Sequence, residues 1–466
     1  MDSEKDNNLA NEWFKRACEH GDEDAKNQLD LYKYKKELDK ADKYYKKQRY
    51  EDAITIYQKI LKQGGYIPYT RLALCYDKLA DHVNARKYYL KAAENGNAFA
   101  QHNMANFYIH AQNYEEAFKW YKKAAKQGLA AAQYELGVMF YNGEWVKKNS
   151  QMAFSYFLLS AKQGYIDAQD VVGRCYYNVE QDYERALEWC SLAAKAGVAS
   201  SCYTLGRMYE DGHGVEKDVE RAFDWFLIAA KRGYAKAQFA VGQAYFYGIG
   251  VTQDYKESRK WFEKVVVQEK DANACEYLGY IYIYGLGGRK NYKKAFHYFF
   301  QAMKAGNMNA CASIGYMYEY GKGMKRDYKM ALKYYTEASK QQNAWAYYRL
   351  GICYENGKGV TQNFKQAFDY FMKSANLGDA DAMFAVGFYY KGFEKVKRTD
   401  YAKAVEWYTK SYGMDENKDT AMVIGVMYEN GGPNLRSNLR EAEKWYEIAK
   451  NEKCLERVRA KMNLTT

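Results

Sequence analysis

Proline is almost missing from this chain of 466 residues; only Pro68 and Pro433 occur. Proline lacks a backbone donor and clashes with the preceding turn, so helix interiors exclude it. Its scarcity predicts a chain that is helical nearly throughout. Long apolar runs are missing as well. No stretch of about 18 apolar residues is present, which predicts that nothing spans a membrane. Residues 1–13, MDSEKDNNLANEW, have neither a basic n-region nor an apolar h-region and predict no secretory leader. The ending Asn463-Leu464-Thr465-Thr466 carries no lipidation signal. Together these absences predict a cytoplasmic protein. Chemistry-bearing patterns are scarce too. The 6 histidines, His20, His82, His102, His110, His213 and His297, form no His-Glu-x-x-His pair, and the 9 cysteines form no Cys-x-x-Cys. No nucleophile elbow occurs. The expectation is therefore no catalytic residue, no metal and no cofactor.

What is present fits a folded, repetitive protein. Hydrophobic residues at 48% and charged residues at 27% do not match a disordered composition. Chains of this length normally divide into domains or repeats. Net charge is 70 − 58 = +12, but acidic residues sit beside basic ones almost everywhere. The densest basic stretch, Lys33 to Arg49, still contains Glu37, Asp39 and Asp42 and reads as a solvated helix face. Nucleic acid is accordingly not the expected partner. Tyrosine is abundant, at 50 residues, together with lysine and asparagine. An AT-rich coding sequence and a functional use of the rings both account for it.

Glycine recurs in one context at 137, 173, 206, 242, 279, 315, 351, 387 and 425, in steps of 33 to 38. Alanine takes the same slot at 41, 73 and 105, each step being 32. About twelve units result, of the length of stacked helix pairs. The unit from Cys202 to Ala237 shows the logic. Cys202, Leu205, Gly206 and Tyr209 fall on one helix face; Gly212-His213-Gly214-Val215 ends that helix; Asp218 caps a second helix carrying Ala222, Trp225, Phe226, Ala229 and Ala230. The cap recurs at Asn113, Asn149, Asp182, Asp254, Asn291, Asp327, Asn363, Asp400 and Asn438. Asp and Asn interchange there, which marks the column as structural and not catalytic.

The spacing between the small residues of the two helices divides the units. It is 85 − 73 = 12 and 117 − 105 = 12 early on, but 222 − 206 = 16 and 331 − 315 = 16 later. The early units resemble tetratricopeptide repeats. The later ones resemble Sel-one-like repeats, with an A-x-x-x-L-G-x-x-Y-x-x-G-x-G-V pattern carried by Gly242 to Val251, Gly315 to Met324 and Gly351 to Val360. The unit at Gly173 departs by keeping a short linker, Asn178 to Gln181. The resemblance implies an all-α, right-handed superhelical solenoid of antiparallel helix-turn-helix repeats. The expected layout is a helical cap over 1–37, tetratricopeptide-like repeats over 38–131, Sel-one-like repeats over 132–450 and a second cap over 451–466. The Gly-x-Gly turns lack the preceding strand and the Gly-Lys-Ser/Thr ending of a phosphate loop and read as helix-to-helix connections. Cysteines occupy single small-residue slots, Cys202, Cys275 and Cys311 four before the key glycine and Cys75, Cys175 and Cys353 two after the key residue, which predicts free thiols.

The resemblance also implies function: a non-enzymatic scaffold or adaptor that binds a protein or peptide in a concave groove lined by the first helix of each repeat. An RNA-binding helical repeat and a regulatory subunit or activator of a separate enzyme are the alternatives. In such repeats the groove positions lie three before, one after and four after the key glycine. They give Gln243, Ile283, Ala312, Ile352 and Lys391 and, as the candidate groove residues, Tyr203, Arg207, Glu210, Phe239, Phe246, Glu276, Tyr280, Tyr316, Glu319, Tyr348, Glu355, Phe384 and Phe388. Rings with carboxylates among them would favour a partner segment bearing Lys or Arg between apolar residues. The alternative is that the rings pack on one another.

Overall fold

The computed structural model describes residues 12–17, 23–64, 67–392 and 399–465. Among them every regular element is a helix, and consecutive helices pair through short turns. The chain divides after Asp218 into two compact units. Pairs in the first include Tyr69–Lys78 with His82–Glu94 and Ala130–Asn142 with Ser150–Lys162; pairs in the second include Ala272–Tyr284 with Tyr292–Lys304, Met308–Tyr320 with Tyr328–Ser339 and Ala344–Asn356 with Phe364–Asn376.

The key glycine lets the two helices of a pair meet. An aromatic ring of the second helix lies on its backbone: Phe157 on Gly137, Phe262 on Gly242, Phe299 on Gly279, Tyr335 on Gly315, Phe371 on Gly351, Tyr408 on Gly387 and Tyr446 on Gly425. A β-carbon on Gly351 would stand 2.5 Å from the Phe371 ring. The cost of a mid-helix glycine is offset by this contact. In the three early short-linker pairs alanine fills the slot, and Tyr57, Tyr89 and Tyr121 are the buried rings of the second helix.

Nine of the predicted caps form. Asn113, Asn149, Asp182, Asn291, Asn363, Asp400 and Asn438 each accept the backbone N–H three residues on, at 2.9–3.1 Å, and Asp254 and Asp327 accept two such donors each. First helices also carry caps, at Asn97, Asp271, Asn307, Asn343 and Asp379.

The two glycines of the Gly-x-Gly turn have different tasks. Gly357 ends its helix in the left-handed conformation, φ +67, as a helix terminator does. Gly359, φ +72, lies against the start of the preceding repeat's second helix, where a β-carbon would stand 2.5 Å from the Tyr328 carbonyl oxygen. The turn therefore locks one repeat onto the one before it.

The unit at Gly173 solves a counting problem. Its small-residue spacing is 186 − 173 = 13, one more than in the early repeats. The helix Ile166–Cys175 runs into a single π-turn, Tyr176–Glu180, which absorbs the extra residue.

The basic stretch from Lys33 forms the helix Lys35–Lys46, with Leu38 and Ala41 turned inward. At the C-terminal end, Glu452–Thr465 packs Cys454 and Val458 onto Leu439–Ile448. Of the cap expected over 1–37, residues 1–11 and 18–22 lie outside the described residues, His20 among them.

Candidate partner-binding face

Each first helix presents the same three positions, and their surroundings differ from repeat to repeat. In the first unit Tyr203, Arg207 and Glu210 are half-buried. Arg207 Nε lies 3.4 Å from Glu210, and its Nη2 donates to Asp211 at 2.9 Å. Burial pushes the Glu210 carboxyl up against the pull of Arg207.

In the second unit Phe239 and Phe246 are absorbed into ring packing. Phe239 sits 5.5 Å from Phe262 and 5.8 Å from Tyr277, and Phe246 sits 5.2 Å from Tyr277. Tyr277, absent from the sequence-derived face, joins them and accepts a hydrogen bond from Gln243 at 2.9 Å. Tyr348 packs 5.7 Å from Phe371, and Phe384 packs 4.9 Å from Tyr408. Burial pushes the Tyr348 hydroxyl up to about 12. Phe388 keeps 46% of its surface exposed.

The four carboxylates have different fates. Glu210 faces its own Arg207. Glu319 is buried, at 2% exposure, and binds Arg349 of the next first helix, Lys358 Nζ at 3.2 Å and the Tyr335 hydroxyl at 2.8 Å. Burial alone would raise that carboxyl, but these donors, Arg349 foremost, hold it below its ordinary value. Glu319 is thus already neutralised from within. Glu355 accepts the Tyr389 hydroxyl at 3.0 Å. Glu276 accepts the Tyr280 hydroxyl at 3.1 Å and the Asn307 amide at 2.7 Å.

The same cluster built around Glu319 recurs at Glu429, which binds Arg457, Lys461 and the Tyr446 hydroxyl, all at 2.6–3.0 Å. Both clusters tie a first helix to the helix one repeat later.

Tyr280 and Tyr316 border a cavity of about 260 Å3 with Tyr284 and Trp345. The reading by three fixed positions misses Tyr284 and Trp345. A signal for the former was present, since tyrosine stands five after the key glycine at 247, 284 and 320, all three exposed.

Among the described residues no three His, Cys, Asp or Glu side chains lie together as metal ligands. His213 stacks on Tyr183 with centroids 4.2 Å apart, and burial lowers His102. The eight described cysteines are free thiols, and burial pushes Cys190 and Cys353 up to about 12. No described helix is long and apolar enough to cross a membrane.

Comparison with known proteins matches the Sel1 repeat model to residues 2–22 and, in eleven further stretches, between 69 and 453. The matches include 69–97 and 98–129, where the linkers are short. The helix pair Lys35–Lys46 and Tyr50–Lys62 falls between matched stretches. A protective antigen of uropathogenic Escherichia coli with an SLR fold is similar in structure, at 27% identity and a TM-score of 0.68, over 97% of this chain and 90% of that one. A Sel1 repeat protein from Oxalobacter formigenes is 31% identical over 52% of this chain and 96% of its own, with a TM-score of 0.48. No curated protein sequence matches the chain.

Proposed function

Because the chain belongs to the Sel1 repeat family, whose members generally mediate protein–protein contacts, we propose that it is a non-enzymatic scaffold or adaptor that holds a partner segment along the first helices of its second unit. The observation that carries this reading is the row of open rings there. Tyr284 and Tyr320 are 55% and 47% exposed, Phe388 is 46% exposed, and Tyr280 and Tyr316 open onto a cavity. Exposed apolar surface of this extent on a rigid support is what an interaction face needs. The repeats supply that rigidity through their caps, glycine contacts and buried ion clusters, and the eight thiols suit a reducing, cytoplasmic setting.

The test begins with affinity capture from the native cell, followed by measurement of the purified pair. Tyr280, Tyr316 and Phe388 are then replaced together by alanine. A helical spectrum equal to that of the parent with at least tenfold weaker partner binding is the expected result. Unchanged affinity in a folded variant would remove this face as the docking site.

A further inference from the structure

The recess beside Tyr280 has a chemistry more specific than a general apolar face. Tyr280, Tyr284, Phe299, Tyr316 and Trp345 line it, together with Ser313 and Ile283. Its volume of about 260 Å3 falls below the roughly 300–1,000 Å3 of sites that enclose whole small molecules. It is the size for one inserted side chain.

Two features select the charge of that side chain. Ring faces carry negative electrostatic potential and attract cations within about 6 Å of the centroid. Glu276, half-buried beside the recess, shares a hydrogen bond with Tyr280 and is satisfied only by neutral donors, the Tyr280 hydroxyl and the Asn307 amide. Among the described residues no cation of this chain pairs with it. Glu210, Glu319 and Glu429 all have arginine partners from within. A half-buried carboxylate hydrogen-bonded to one ring of the recess and without a counter-ion among the described residues is complementary to a cation brought from outside.

The shape selects among cations. A guanidinium is flat, stacks on aromatic faces and offers forked donors to a carboxylate, whereas an ammonium is compact and strongly hydrated. The neighbouring turn shows the arrangement in use: the Arg349 guanidinium lies 5.5 Å from the Tyr320 centroid and donates to its hydroxyl at 3.0 Å, while Glu319 takes its charge. We propose that the recess is an anchoring pocket for one arginine side chain of a partner protein, its guanidinium lodged among the rings and its charge met by Glu276. This rests on the reading of the chain as a scaffold.

The probe is a blocked peptide, acetyl-Ser-Leu-Arg-Leu-Ser-amide, titrated into the full chain by calorimetry and Trp fluorescence. Peptides with lysine or neutral citrulline replacing the arginine serve as comparisons. The arginine peptide is expected to bind roughly tenfold more tightly than the citrulline peptide, with lysine between them. Glu276→Gln keeps an acceptor for Tyr280 and Asn307 but removes the charge. It should erase most of the arginine advantage and leave the citrulline peptide unchanged. Trp345→Phe should remove the fluorescence response, and Tyr284→Ala should weaken arginine binding several-fold. Equal binding of arginine and citrulline, or no arginine binding at millimolar concentration, would overturn the pocket. Lysine binding as tightly as arginine would overturn the guanidinium assignment. A captured partner that is lost on the triple alanine change yet indifferent to Glu276→Gln would leave the scaffold reading standing without this pocket.

Discussion

Replacing Gly351 with alanine sets two opposed effects against each other at one atom. Alanine in a helix interior is favoured over glycine by about 1 kcal/mol. The added β-carbon, however, would stand 2.5, 2.6 and 3.0 Å from three ring atoms of Phe371, where carbons rest at roughly 3.5–4.0 Å. The ring has to retreat by about 1 Å to restore that spacing. It has little room, since Phe371 is 1% exposed, with Tyr348 at 5.7 Å and Tyr389 at 5.9 Å. Overpacking of this kind costs about 1–3 kcal/mol. The net expectation is a loss of about 1 kcal/mol once the helix preference is subtracted. In a Phe371→Ala background the obstruction is gone, and the same Gly351→Ala change should stabilise by about 1 kcal/mol. Native-state hydrogen exchange of the amides in Ala344–Asn356 and Phe364–Asn376 measures this locally, and 1 kcal/mol is about a fivefold change in protection. Stabilisation in the parent background, or the same sign in both, would refute the argument that the glycine exists for the ring.

Acid should loosen the C-terminal helices first. Burial alone would raise the Glu429 carboxyl, but Arg457, Lys461 and Tyr446 hold it at about 2, below its ordinary 4.5. A carboxylate depressed on folding stabilises fully above its ordinary value, and that stability is lost as pH falls from 4.5 towards 2. The amount is at most about 3 kcal/mol, and Glu429→Gln should flatten the pH dependence of exchange in Glu452–Thr465. Deleting Gly315 through Leu350 removes Glu319, Tyr335 and Arg349 together and should leave a shorter folded array by circular dichroism; global loss of helix would contradict nearest-neighbour stability. Asn363→Ala should cost about 1 kcal/mol in urea unfolding, and Asn363→Asp almost nothing, since either native-type side chain accepts the Gln366 N–H. Thiol titration in denaturant without reductant should return all 9 cysteines, with four disulfides as the contrary result.

The fold was legible because its determinants are local. A cap and the N–H that it binds are three residues apart, as at Asn291 and Lys294. The terminator glycine answers a backbone need at the end of one helix, and the key glycine meets a ring of the next helix at a nearly constant separation, so the repeat period places both. The face was legible only in part, because each side chain's fate depends on a residue about one repeat away. Position four after the glycine holds Glu319 and Glu355 alike, yet Arg349, 30 residues on, draws the first inward, while among the described residues the second meets Tyr389, 34 residues on. Phe239 and Phe246 sit where a groove lining was expected and pack against Tyr277, a residue two before the next key glycine. Trp345 stands outside the three positions altogether and joins the recess through the stacking of one repeat on the next.

The single π-turn at Tyr176–Glu180 bears on how such arrays tolerate insertions in their genes. One residue added to an α-helix rotates everything after it by about 100° about the axis. Absorbed that way, the extra residue would have turned the following segment out of phase with its neighbours. Confined to a wide turn, the insertion leaves Gly173 against Cys190 and the Asp182 cap on Arg185 in the same places that the other pairs use. Repeats of unequal length therefore stay in phase, and the sequence is free to drift by single codons at the end of a first helix without scrambling the stack.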